Sequence, residues 1–166
     1  MKKNERPRLA SSGGEVVSIY LNDWKGTGYF GMVADFSGVY LEEKNYLAES
    51  NPFPGHKDDT YWLGQKATMD KAIASDDYKG IEVLLASYSA ANYSGDAFVL
   101  FRRAGKLYEV NASHCSCYGV EGQWEPAETT VEALQHRLDK GRLGSDSNEF
   151  SAELRALLAA LREEAK

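Results

Sequence analysis

The sequence predicts an α+β protein in which an antiparallel β-sheet is packed by two helices near the C-terminal end of the chain. Hydrophobic runs at 81–88 and 97–102 are separated by turn-forming residues, as consecutive strands are. A tight reversal at 103–106 then leads into another short apolar run. Beyond residue 129 the apolar residues recur three and four positions apart, which indicates helices.

The predicted sheet has strands from both halves of the chain. They lie near residues 15–21, 29–35, 81–88, 97–102 and 107–111. The apolar residues of the second strand alternate moderately, and together with the first strand they lead us to expect a β-meander in the N-terminal part. The nearly continuous apolar run of the third is typical of a strand buried on both faces.

Two helices are predicted, at about 130–140 and 148–164. Thr129 and Glu132 match a capping box at the start of the first helix, and Gly141 is its expected stop. The second helix has an apolar stripe formed by Phe150, Leu154, Leu157, Leu158 and Leu161. Packing of this stripe on the sheet is the simplest interpretation, and pairing with a copy or with a partner is the alternative.

One domain accounts for most of the 166 residues. Residues 1–14 end in two serines and two glycines and are interpreted as a flexible tail, which leaves 15–166 as a single α+β domain. No apolar stretch approaches the length of a membrane span, and none follows the basic N-terminus as in a signal peptide. We therefore expect a cytoplasmic protein.

The charge is distributed unevenly along the chain, whose net charge is −6. Residues 35–77 contain nine acidic residues and four lysines, a local net charge of −5. No basic stripe is present to neutralise phosphates, so direct nucleic-acid binding is disfavoured. A solvated acidic face is the simplest interpretation of this segment, and contact with a basic protein surface is the alternative. The candidate contact acids are Asp58, Asp59, Asp76 and Asp77.

Aromatic and arginine side chains near the strand ends are a second set of candidate partner contacts. Tyr, Trp and Arg dominate contact energies at many interfaces. The residues singled out are Tyr93, Arg102, Arg103, Tyr118 and Trp124. Core packing is the competing explanation for some of the aromatic residues.

The most unusual stretch is 113–119, which follows the last predicted strand and contains His114, Cys115 and Cys117. Thiolates and imidazole are the ligands that zinc prefers, so these three residues are a candidate zinc set. A cysteine nucleophile activated by a histidine is another hypothesis. The two cysteines are too close in sequence for an unstrained disulfide, so we expect reduced thiols. The simplest interpretation is a tight loop formed by buried thiols and a hydrogen-bonded histidine.

Residues 26–31 spell the motif G-x-G-x-x-G, which in dinucleotide-binding proteins joins a strand to a helix that starts within the motif. Residues 32–38 are too short and too rich in turn formers for such a helix. The glycines are therefore interpreted as part of a β-meander or a bulge.

The block from about 78 to 144 resembles a family of small uncharacterised proteins of bacteriophages and prophages. The resemblance depends on residues 93–101, 106–111, 113–119, with the sequence Ser-His-Cys-Ser-Cys-Tyr-Gly, and 123–126. It implies a family-like core at 78–144 and a variable N-terminal subregion at 15–77. The family has no settled activity, so the resemblance implies no catalytic residue.

The resemblance implies a phage-type accessory protein that binds a host protein in the host cytoplasm, as inhibitors of host defence such as anti-CRISPR proteins do. A homodimer is compatible with this hypothesis. The alternatives are a module stabilised by zinc at His114, Cys115 and Cys117, with zinc as its cofactor, and a cysteine-dependent enzyme. Binding is favoured over catalysis because no recognisable catalytic set is present.

Overall fold

The computed structural model of the protein describes residues 17–39 and 60–166. Within them, five strands form one sheet whose spatial order is the chain order. The strands are β1 (Ile19–Asn22), β2 (Glu82–Ala91), β3 (Ser94–Arg103), β4 (Lys106–His114) and β5 (Ala127–Thr129). The helices of the described residues are α1 (Gly28–Ser37), α2 (Thr60–Ile73), α3 (Val131–Asp139) and α4 (Ser151–Glu164). None of these helices is long and apolar enough to cross a membrane.

The predicted α+β class is confirmed, and so are both C-terminal helices. Four of the five predicted strands are also confirmed and correspond to β1, β2, β3 and β4. β2, β3 and β4 pair antiparallel as expected. β1, however, pairs parallel to β2, so the sheet is mixed. The chain between these two strands contains α1 and α2, as a parallel connection requires a long crossover.

The strand predicted at 29–35 is wrong, because these residues belong to α1. The alternation that suggested a strand coincides with a helical pattern, in which Tyr29, Met32, Val33 and Phe36 occur at offsets of 0, 3, 4 and 7. Met32, Val33 and Phe36 are buried, whereas Phe30, which a strand would place on the same side as Met32 and Phe36, is 50% exposed. Burial of the helical stripe therefore decides the structure of this segment.

Helices cover both faces of the sheet. On one face, α1 packs on a core cluster that includes Val83, Val99 and Phe101. On the other face, Leu85 and Leu100 pack against α3 and α4. The apolar stripe of α4 lies within this second cluster, which confirms the packing interpretation.

A bulge in β2 adjusts the sheet to these two cores. The register with β3 shifts between Val83 and Leu85, which leaves Leu84 as an extra residue. Leu84 and Leu85 consequently both belong to the α3–α4 core, while Val83 belongs to the other.

The first turn of α3 is capped one residue later than predicted. The Thr130 hydroxyl, and not that of Thr129, accepts a hydrogen bond from the Ala133 amide at 3.1 Å. Gly141 follows the helix with a φ of +67°, as expected of a glycine stop.

Candidate functional site

The candidate site is one end of the sheet, where the β2–β3 hairpin lies beside the end of β4. We call this region the rim and define it as residues 91–95 and 113–119. Gly95 pairs with His114 in the β3–β4 register, so the hairpin tip and the loop after β4 are neighbours. Asn92 and Tyr93 form the hairpin turn with φ values of 52° and 62°, as in a two-residue turn with two left-handed positions. Tyr93 is 83% exposed at this tip.

A histidine–tyrosine pair supports the rim from beneath. His114 Nε2 lies 2.7 Å from the Tyr88 hydroxyl, and His114 Nδ1 lies 3.0 Å from the carbonyl oxygen of Cys115. Because a carbonyl only accepts, Nδ1 carries the proton and Nε2 accepts from the tyrosine. The predicted hydrogen-bonded histidine is thus confirmed. Both ring nitrogens have a partner.

The side chain of Gln123 holds the loop that follows β4. Its Oε1 accepts from the Ser113 amide at 3.1 Å, and its Nε2 donates to the Ser113 carbonyl at 2.9 Å. Nε2 also lies 3.4 Å from the Gly119 carbonyl oxygen. One side-chain amide therefore occupies the place of a neighbouring strand and ties both ends of the loop together.

Trp124 anchors the same loop in the α1-side core. Its ring lies 4.7 Å from Tyr78, 5.0 Å from Phe36 and 5.5 Å from Phe101, measured between ring centroids. Val120 is fully buried beside it. Of the predicted contact residues, Trp124 is thus a packing residue, which is the competing explanation offered for it.

The thiols are free and exposed, so the expectation of reduced cysteines fits and the expectation of buried ones is wrong. The anchored backbone turns Cys115 and Cys117 outward, and Tyr118 beside them is 77% exposed. The only partner of either sulfur within the described chain is the Ser116 hydroxyl, 3.7 Å from Cys117 Sγ. The top of the loop therefore presents two thiols and one aromatic ring.

His114, Cys115 and Cys117 are neighbours in sequence, and the described structure does not bring the three side chains together around one point. Both nitrogens of His114 are engaged, and residues 17–39 and 60–166 contain no group of three or more metal donors. Within the part of the chain that the structure describes, neither thiol contacts a histidine, because His114 bonds to Tyr88 and to a carbonyl. His136 is exposed on α3, across the sheet, and His56 lies outside the described residues.

A cleft of about 250 Å³ opens beside the rim between the end of α1 and the loop after β4. Asp35, Tyr88 and Glu121 line it. Burial raises the pKa of Asp35, opposed by the indole N–H of Trp24, which donates to its carboxylate at 2.7 Å. Burial also raises the pKa of Tyr88 to about 12, aided by the nearby carboxylates of Asp35 and two other acids.

Sequence reasoning missed this cleft, because Asp35 and Glu121 are brought together only by the packing of α1 against the loop. The contact is close: a Cβ on Gly38, at the end of α1, would lie 3.3 Å from that of Glu121.

The two arginines do not join the rim tyrosines. Arg102 pairs with Glu82 at 2.9 Å and with Glu164 at 3.2 Å, at the opposite end of β3. Arg103 lies over the Phe101 ring at 5.3 Å and donates to the backbone of the turn at Asp76 and Asp77. These interactions engage both guanidinium groups, and of their nitrogens only the buried Arg103 Nε has no hydrogen-bond partner among the described residues. Asp76 and Asp77 are exposed at this end, and Asp58 and Asp59 lie outside the described residues.

The glycine motif does join a strand to a helix, contrary to the β-meander interpretation. β1 ends at Asn22 and α1 begins at Gly28, inside the motif. Gly28 has a φ of +61°, and a Cβ on Gly31 would lie 1.8 Å from the Thr27 hydroxyl oxygen. These two glycines are therefore required by the turn and by the packing of Thr27.

Fold and site together define a three-layered α+β protein with an anchored rim of exposed aromatic rings and thiols. Comparison of the chain with protein-family models, with curated proteins and with solved structures found no match.

Proposed function

We propose that this protein acts by binding another protein through the rim, as a phage-type accessory protein that inhibits a defence system in the host cytoplasm, in the manner of an anti-CRISPR protein. The observation that supports the binding surface best is the exposure of Tyr93 and Tyr118, at 83% and 77%, on an anchored backbone. The phage setting rests on the resemblance of residues 78–144.

The energetic reason is the cost of leaving large rings in water. Tyrosine is enriched among the residues that dominate binding free energy, because it buries a large area with few rotatable bonds. Gln123 and Trp124 fix the loop that carries Tyr118, and a hairpin turn fixes Tyr93. Since the backbone is already ordered, binding does not have to order it first.

The charge around the rim favours a basic partner surface. Asp23 lies beside the end of β2, where its carboxylate accepts from the Ala90 amide at 3.0 Å, and Asp96 pairs with Ser113 in the sheet. Glu121 lines the neighbouring cleft. Within the described residues none of these three acids forms an ion pair, so their charges are available to lysines and arginines of a partner.

The test is a comparison of baits in lysate of a bacterial host. A Tyr93→Ser/Tyr118→Ser double variant should lose a partner that the wild-type protein captures. Phe30→Ser is the matched control, because it removes a 50%-exposed aromatic ring on α1, outside the rim, and should retain the partner. Capture by wild type should also weaken with salt, since charged surfaces are screened.

The proposal is wrong if the double variant, shown to be folded by circular dichroism, captures the same partners as the wild type. It is also wrong if the wild type captures no specific partner at all.

A further inference from the structure

We propose that Cys115 and Cys117 form half of a zinc site and that a second copy of the chain supplies the other half. Both thiols are free and exposed on the rim, with one residue between them. Their Cα atoms can be at most about 7 Å apart. Two sulfurs bound to one tetrahedral zinc through bonds of about 2.3 Å lie about 3.8 Å apart, a separation that this spacing permits.

The described residues of one chain do not complete the site. No third histidine, cysteine or carboxylate joins the thiols within the described residues, and both nitrogens of His114 already have partners. Structural zinc sites are closed by four protein ligands. Two Cys-x-Cys loops related by a two-fold axis through the ion supply four thiolates from one repeated surface.

The position of the loop suits such a contact. Cys115 and Cys117 lie at the exposed end of the molecule. The hydrogen-bonded side chain of Gln123 and the buried Val120 hold the backbone behind them. Tyr118, which is 77% exposed, would be partly covered by the same loop of the second copy. The net charge of −6 per chain opposes association, so the dimer should form only with the metal.

The chemistry is coordination without oxidation or reduction. Each of the four thiols releases its proton to the solvent as its sulfur–zinc bond forms, and zinc loses its bound waters. Affinity should therefore fall as the pH is lowered.

The site stands independently of the partner contact proposed above, because it depends on the two sulfurs and not on the tyrosine rings. A Tyr93→Ser/Tyr118→Ser protein should still bind zinc. Failure of partner capture and failure of zinc binding are thus separate results.

The experiment uses the full chain without a histidine tag, reduced and stripped of metal, with Zn²⁺ as the probe. We expect one zinc per two chains. Light scattering should show the mass rising from 18.4 kDa to twice that value, 36.8 kDa. Co²⁺ should give the thiolate charge-transfer absorption and the intense d–d bands of a tetrahedral tetrathiolate site.

Variants of the loop separate the sulfurs from their surroundings. Cys115→Ser and Cys117→Ser should each weaken zinc binding by more than about 100-fold, since loss of a ligand exceeds the effect of losing a group behind it. Ser116→Ala, which removes the hydroxyl 3.7 Å from Cys117 Sγ, should weaken zinc binding by less than either cysteine variant does. Both cysteines are exposed, so the serine variants should keep their fold by circular dichroism.

Several results would overturn the proposal. These are a wild type that binds no zinc, a monomer that binds one zinc per chain, and undiminished zinc binding by a Cys115→Ser/Cys117→Ser variant. Loss of zinc in a folded His114→Gln variant, as complete as in the cysteine variants, would place the ligands within one chain and equally reject the two-copy site.

Discussion

Replacing Gly95 with alanine tests whether the His114–Tyr88 pair stabilises the rim. A Cβ on Gly95 would lie 2.6 Å from His114 Nε2 and 3.0 Å from the carbonyl oxygen of Ser89. Ordinary contacts of a Cβ begin at 3.4 Å, so the imidazole ring must retreat by 0.8 Å (3.4 − 2.6). That movement breaks the 2.7 Å hydrogen bond between Nε2 and the Tyr88 hydroxyl.

Two costs follow, and they overlap because one displacement causes both. Overpacking costs about 1–3 kcal/mol, and leaving the Tyr88 hydroxyl without its partner costs about 1–3 kcal/mol. Replacing a glycine in a strand lowers the conformational entropy of the unfolded chain, which stabilises the folded protein by about 0.5–1 kcal/mol. We therefore expect the free energy of unfolding to fall by about 2–3 kcal/mol and the melting temperature by about 4–12 °C.

Urea unfolding followed by circular dichroism measures this change, with Gly64→Ala as the matched control. Gly64 is exposed in α2, and a Cβ there would meet nothing within 4 Å, so alanine should stabilise the protein by about 0.5–1 kcal/mol. In a Gly95→Ala/His114→Ala double variant the clash with the ring is absent. The double variant should therefore lose less free energy of unfolding than the two single variants together, by about 1 kcal/mol or more. A Gly95→Ala protein as stable as the wild type, or strictly additive losses, would refute this reasoning.

Three further substitutions test the charged and polar contacts by unfolding free energies at several pH values. Arg137→Ala leaves the buried carboxylate of Glu109 without the cation that bonds to its Oε1 at 2.7 Å, and should cost about 2–4 kcal/mol near neutral pH. Burial alone would raise the pKa of Glu109, but hydrogen bonds led by that of Arg137 hold it below its usual value, so the difference from wild type should shrink as the pH falls and the carboxylate is protonated. Folding raises the pKa of Asp35, so the wild type loses stability as the pH rises from the pKa of the unfolded chain to that of the folded protein. Asp35→Asn should therefore be more stable than the wild type at neutral pH and equally stable at about pH 3. Ser87→Ala removes the hydroxyl that links two asparagine side chains at 2.7 Å each and should cost about 1–3 kcal/mol, whereas an unchanged stability would deny that linkage any role.

The parts of the fold that the sequence predicts correctly are those with local signals. The apolar runs of β2 and β3, the reversal at Gly105 and the helical period of α4 each concern neighbouring residues. α1 was missed because three of its inward residues, Met32, Ala34 and Phe36, also follow a period of two, and only packing on the sheet decides between a strand and a helix. β5, with three residues, is too short to carry a pattern.

The site is predicted only where its residues are adjacent in sequence. Residues 113–119 are recognisable as an unusual loop after a strand, and their place at the sheet end is confirmed. The support from Tyr88, 26 positions before His114, depends on strand register, which periodicity does not determine. The hydrogen bonds of the Gln123 side chain to Ser113 and Gly119 have no sequence signature either.

The most direct measurement of the central claim, that the rim is the contact surface, is site-specific photo-crosslinking in bacterial host cells. A photoreactive phenylalanine analogue replaces Tyr93, Tyr118 or, as the control, Phe30. We predict that positions 93 and 118 crosslink to the same protein and that position 30 does not. Crosslinks confined to position 30, or different proteins captured at the two rim positions, would contradict a single partner surface there.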